Sequence, residues 1–139
     1  MKSYGMNEQS AKEWLIKSWH NLSTAKLLYE ANHYTDIITV DLHYSCEKIL
    51  KSFLAYENKK IPKTHNLIEI SKEITFYIDL SENLELLKQI SKYHIEASYP
   101  IFDRALPSRE EIKEVLDFTQ ELFEKVCKVL DIDIKEVKV

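Results

Sequence analysis

A single glycine, Gly5, serves a chain of 139 residues. Phosphate cradles of the P-loop or dinucleotide type need several glycines, so that backbone amides can approach the anion closely. Both are excluded. A sheet protein built on many tight turns is also disfavoured, because such turns draw on glycine and its substitutes. The three prolines, Pro62, Pro100 and Pro107, leave long uninterrupted stretches. Proline breaks helix interiors, so stretches free of it suit helices. The chain is expected to be all-α.

At about 150 residues per domain, this length predicts one domain over 1–139, with a core of about 10–130 and a tail from 131 to 139. The net charge of −4 argues against binding nucleic acid over the whole surface, which usually takes a basic excess. No uncharged run exceeds eight residues (Ser18 to Ala25), too short for a membrane span. The start of the chain lacks the charged lead and apolar core of a signal peptide. Cys46 and Cys127 are far apart, each in an apolar-periodic segment. They read as buried free thiols, and the expected location is the cytoplasm.

Helical periodicity marks five segments. The first runs from about Ser10 to Ala31, where Ser10 and Glu13 have capping-box spacing. The second, from about Tyr34 to Tyr56, carries apolar residues on a wide face (Ile38, Leu42, Ile49 and Phe53, flanked by Ile37, Val40, Tyr44, Leu50 and Leu54), which predicts a central position. Asn66 and Glu69 frame a third, short helix with Leu67, Ile70, Ile74 and Ile78. Ser81 is the expected cap of a fourth, which must stop near Ser98 because the residue before Pro100 disfavours helical geometry. Ser108 and Glu111 cap a fifth reaching Leu130, and the tail reads as frayed or a short extension. Short connections predict an up-and-down antiparallel four-helix bundle with a short additional helix.

Three constellations could carry chemistry. Asp36, His43, Glu47 and Lys51 form a polar stripe on the second helix, either a solvated face with an ion pair or a polar cleft or dimer seam. Thr64-His65-Asn66 precedes the third helix, where it either caps that helix or lets His65 meet an anion near Lys59, Lys60 and Lys63. Tyr93, His94, Ser98, Tyr99 and Pro100 close the fourth helix, packing on the bundle end or lining a groove that stacks a base. A di-metal bundle needs a Glu-x-x-His pair on each of two helices. Only Glu30 and His33 have that spacing, so no metal and no cofactor is expected.

These stretches, in this order, resemble the HEPN family, a nucleotide-binding domain of higher eukaryotes and prokaryotes. The likeness rests on Trp19 with Ala25-Lys26-Leu27-Leu28 and Tyr34; on Ser45-Cys46-Glu47-Lys48-Ile49-Leu50-Lys51 with Phe53-Leu54; on Pro62-Lys63-Thr64-His65-Asn66-Leu67; and on Tyr93 with Tyr99-Pro100. The resemblance implies a homodimer and a partnership with a small nucleotidyltransferase encoded nearby. Some members are ribonuclease toxins of toxin–antitoxin pairs; others have lost the nuclease site and serve as nucleotide-binding or scaffolding subunits. The nuclease members carry an Arg four to six residues before a His. Here both arginines, Arg104 and Arg109, follow the last histidine, His94. Lys88 stands six residues before His94, but Lys lacks the bidentate fork of Arg. Ser98 also stands where this branch often has Arg before Tyr-Pro, leaving Arg104 as a conceivable substitute.

The resulting expectation is a non-catalytic subunit that dimerises, docks a nucleotidyltransferase and holds a nucleotide. Its candidate contacts are Glu47, Lys48, Lys51, His65, Tyr93, His94 and Tyr99. The alternatives are a ribonuclease toxin acting on RNA through His94 with a degenerate site, and a plain protein-interaction module.

Overall fold

A computed structural model describes residues 6–96 and 106–139. All regular structure among them is helical: α1 (Glu8–Glu30), α2 (Thr35–Tyr56), α3 (Leu67–Glu73), α4 (Leu84–Glu96) and α5 (Arg109–Val129), with short 3-10 turns at Ser81–Asn83 and Ile134–Glu136. None of these helices is long and apolar enough to cross a membrane. Tyr99 and Arg104 lie outside the described residues, as does the expected end of α4 at Ser98.

The lack of glycine shapes the helix ends. A helix commonly exits through a left-handed residue, usually glycine. Here the exits of α1, α2 and α5 use Asn32, Asn58 and Asp131, with φ of 58°, 57° and 53°. Asn and Asp tolerate this region better than other residues with a Cβ. Each exit closes the same double bond pattern. His33 and Asn32 donate to Leu28 and Tyr29; Lys59 and Asn58 to Leu54 and Ala55; Ile132 and Asp131 to Cys127 and Lys128. The last carbonyls of three helices are satisfied without a glycine.

The starts agree with the sequence in two places and differ in two. Asn66 accepts from the amides of Ile68 and Glu69, and Ser108 from that of Glu111, as their spacing predicts. Helix α1, however, begins earlier than Ser10. Asn7 is its cap, and its side chain accepts from the amide of Ser10 itself. Ser81 opens a 3-10 turn, and α4 follows from Leu84. Helix α3 is shorter than its apolar spacing suggested. Ile74 is its C-cap, in a run of β-branched and aromatic residues that lose side-chain freedom in a helix. Ile74 and Ile78 are still buried, and Tyr77 stacks on Phe53 at 5.1 Å.

Helix α2 is central, packed against α1, α3, α4 and α5. On α1 the buried residues Ala11, Leu15, Ser18, Leu22 and Ala25 form a narrow seam facing α2 in which small and large alternate. Partners across this seam run in opposite order: Asn7 with Tyr56, Ser18 with Ser45, Asn21 with Asp41. The two helices are therefore antiparallel. Ser18 lets them approach closely, and its hydroxyl bonds the Ser45 carbonyl at 2.9 Å. Trp19 meets Phe123 of α5 at 5.8 Å, and Arg109 lies over the Tyr29 ring at 4.1 Å.

The tail is not frayed. Ile132 and Val137 are buried, Lys12 and Glu136 form an ion pair, and the Val139 carbonyl meets His20 at 3.0 Å. Both cysteines are buried and free. Burial pushes the Cys46 thiol up to about 12 and that of Cys127 to about 11, so neither is a ready nucleophile.

Asp131→Gly should raise stability by about 0.5–1 kcal/mol, because glycine enters the left-handed region without penalty. Asp131→Val should lower it by about 1–2 kcal/mol. Urea unfolding of the three proteins measures both shifts.

Candidate functional site

His43, Glu47 and Lys51 succeed one another at four-residue steps and therefore share one face of α2. That face is not solvated. Helix α4 and the turn before α3 cover it, leaving His43 at 0%, Glu47 at 5% and Lys51 at 5% exposure. The solvated-face reading therefore does not fit these three residues, although its Glu47–Lys51 ion pair forms.

Glu47 organises them. Its Oε2 accepts from Lys51 at 3.1 Å. Its Oε1 lies 3.1 Å from Nε2 of His43 and 2.6 Å from Nδ1 of His65. The His65 side chain is 46% exposed. The cap of α3 positions it. Thr64 Oγ1 accepts from the Asn66 amide at 3.0 Å, Asn66 caps the helix, and the intervening His65 turns toward α2. The Leu67 amide donates to Ser91 at 2.9 Å, fastening this turn to α4. Thr64-His65-Asn66 thus works as a cap, and His65 contacts a carboxylate of its own chain.

His43 Nδ1 lies 2.9 Å from the carbonyl of Ile90 in α4. A carbonyl only accepts, so Nδ1 carries a proton. His94 stacks on His65 with ring centroids 4.0 Å apart and planes at 18°, and lies 5.3 Å from His43. Three imidazoles, one carboxylate and one ammonium thus gather where α2, α4 and the turn before α3 meet.

The electrostatics follow from this crowding. Burial by itself would raise the Glu47 carboxyl. Bonds from His43, His65 and Lys51 and the Lys51 charge overcome it and hold the group down at about 2. His94 is pushed below the usual histidine range, first by burial and then by the neighbouring His65 and His43.

Outward of the cluster lies an open groove of about 490 Å³, lined by His65, Asn66, Ile68, Lys88, Ser91, Lys92, His94 and Ile95. Two lysines give it positive charge, and Ile68 and Ile95 give it an apolar wall. Lys88 and His94, six apart in sequence, face the same space.

The expected site residues divide. Glu47, Lys51, His65 and His94 come together. Lys48 turns toward α1, donating to Asn21 at 2.7 Å and lying 5.7 Å from the Tyr44 ring. Tyr93 is buried with its hydroxyl donating to Glu111 at 2.5 Å, so it braces α4 against α5. Burial and this carboxylate both raise its phenol. Tyr99 lies outside the described residues. The sequence places His43 in the polar stripe but not among the candidate contacts, and it gives no sign of Ser91 or Lys92. For His43 a signal existed, since it precedes Glu47 by one helical turn.

The described residues define an all-helical protein with a buried histidine–carboxylate cluster beneath a basic groove. Residues 11–130 match the family model described as the HEPN domain, and the chain belongs to the HEPN family. Neither the curated proteins nor the solved structures contain a match to it.

Glu47→Gln keeps the side-chain volume and removes the charge shared by the cluster. Breaking a buried pair in this way should cost about 3 kcal/mol in urea unfolding. Glu121→Gln, on the exposed side of α5, should stay within about 0.5 kcal/mol of the parent.

Proposed function

We propose that this chain is a non-catalytic HEPN subunit whose groove between His65 and His94 holds a nucleotide. Residues 1–139 form one domain, an up-and-down bundle of four main helices with a short additional one. It pairs with a second copy and docks a small nucleotidyltransferase encoded nearby, in the cytoplasm. The exposed Leu27, Tyr34 and Ile37 near the α1–α2 turn offer apolar surface for such contacts.

The carrying observation is the groove itself: Lys88 and Lys92 beside the stacked His65–His94 pair, with Ile68 and Ile95 alongside. Phosphates suit the lysines, and a base suits the flat imidazole and the isoleucines. Glu47 and Lys51 support this groove from beneath by fixing His65. The non-catalytic part rests on the cations. RNA cleavage needs a strong donor for phosphate charge as well as a proton carrier. The groove's described cations are the lysines Lys88 and Lys92, while Arg109 is held elsewhere by the Tyr29 carbonyl at 3.0 Å and by its ring. One observation favours the ribonuclease alternative, namely that Lys88 and His94 share the groove.

Calorimetry with ATP separates these readings. Binding should appear with the parent chain and weaken about tenfold in Lys88→Ala or Lys92→Ala, the loss of one charge-assisted bond. Null heats throughout would leave only a docking role. Cleavage of purified RNA that disappears in His94→Ala would replace the proposal with the nuclease reading. Co-purification with the neighbouring nucleotidyltransferase tests the partnership separately.

A further inference from the structure

We infer that His43, Glu47 and His65 form a site for one divalent transition-metal ion of the zinc class, coordinated by His43 Nε2, Glu47 Oε1 and His65 Nδ1. This goes beyond nucleotide binding and does not depend on it.

The first argument is a hydrogen-bond count at His43. Its Nδ1 proton is committed to the Ile90 carbonyl. A neutral imidazole has one N–H, so Nε2 then presents a lone pair. That lone pair points at Glu47 Oε1, which also only accepts, 3.1 Å away. Two lone pairs are not left facing each other at this distance on a ring with no exposure, so either a second proton on His43 or a metal ion must lie between them. A metal ion meets that demand while leaving His43 neutral, the form that ligates.

The second argument is convergence. His65 Nδ1 approaches the same oxygen, although Glu47 has two, and Lys51 holds the other. The three ligand atoms lie within 4.8 Å of one another. Ligands on a tetrahedral zinc at about 2.0–2.1 Å stand roughly 3.3 Å apart. The His43–Glu47 pair is already near this spacing. The His65 pair, at 2.6 Å, must open slightly. The half-exposed side chain of His65 leaves space for that small change.

The third argument is the surrounding shell. A ligating histidine typically donates its other N–H to a carbonyl or carboxylate, and a ligating carboxylate is itself hydrogen-bonded. His43 has the Ile90 carbonyl in that role, and Glu47 has Lys51. Two imidazoles and one carboxylate suit zinc and its neighbours better than calcium or magnesium, which prefer all-oxygen sites. Three protein ligands also leave a fourth position for water. The Glu-x-x-His spacing of ferritin-like sites misses this arrangement, because its ligands come from one helix and a distant turn.

The test uses the full chain after chelator treatment, titrated with Co²⁺. The expected result is visible d–d absorption saturating at one equivalent per chain, displaced by Zn²⁺, with Zn²⁺ raising Tm. His65→Asn, at a half-exposed position and checked for a retained helical signal, should weaken Co²⁺ binding by roughly 100-fold or more. His33→Asn, an exposed histidine outside the cluster, should leave the titration unchanged. No absorption and no Tm shift in the parent would overturn the proposal, and His43 would then hold a second proton against Glu47. An equal titration in His65→Asn would overturn it too, by placing the ion elsewhere.

Discussion

The carboxylate of Glu47 is met from three sides, by Lys51 one turn along α2, by His43 one turn back, and by His65 from another segment of the chain. Apolar packing in this protein could tolerate small slides of one helix on another. A buried carboxylate with fixed partners cannot, because each partner displaced leaves a desolvated charge or donor. His43 extends the chain of bonds to the Ile90 carbonyl, so the position of α4 on α2 is set through the same group. The turn before α3 is set through His65. Three segments far apart in sequence are thus registered by one side chain, and the groove between His65 and His94 takes its shape from that registration.

The scarcity of glycine acts on the frame that carries this cluster. Helices α1, α2 and α5 all end with the same pair of backbone bonds, built on Asn32, Asn58 and Asp131. These ends turn the chain in a few residues and let α1 return along α2 as an antiparallel neighbour. The small residues Ala11, Ser18 and Ala25 bring the two backbones together on one side of α2. The opposite demand, burying His43, Glu47 and Lys51, is met by α4 and the turn before α3. Helix α2 is therefore enclosed by α1, α3, α4 and α5, which explains the width of its apolar face.

Local signals were readable where a cap or period depends only on neighbours. Asn66 and Ser108 cap the helices they precede, and the central place of α2 follows from its apolar residues. Ser10 misled because its spacing to Glu13 fits a capping box, while Asn7, three residues earlier, takes its amide. Helix α3 looked longer than it is because Ile74 and Ile78 keep apolar spacing and are buried, yet lie beyond the last helical turn. The polar stripe was visible, but its burial was not, since a Glu–Lys pair at four-residue spacing looks the same on a solvated face. Which way it faces depends on where α4 crosses, a long-range fact. His43 is legible only as a stripe residue for this reason: its partner, the carbonyl of Ile90, is a backbone group that side-chain identity does not reveal. Tyr93 failed in the opposite direction, an aromatic at a promising place that faces Glu111 and α5.

Membership of the HEPN family fixes the scaffold and leaves the chemistry to the side chains. In this chain the proton-carrying type of residue is abundant, with three imidazoles whose centroids lie between 4.0 and 6.1 Å apart, while strong anion donors are sparse. His43 and His65 have nitrogens committed to Glu47, and His94 is stacked on His65 and shifted toward its neutral form. A neutral, stacked imidazole is a good flat surface and a poor stabiliser of developing phosphate charge. Lys88 and Lys92 attract phosphate as point charges without the planar fork that orients it. Attraction without orientation is the physical ground on which we propose that the groove holds a nucleotide and does not cleave RNA. His65 is the hinge between these roles: one nitrogen faces the buried carboxylate, and the ring lines the open groove, so whatever occupies the cluster beneath bears directly on the surface above.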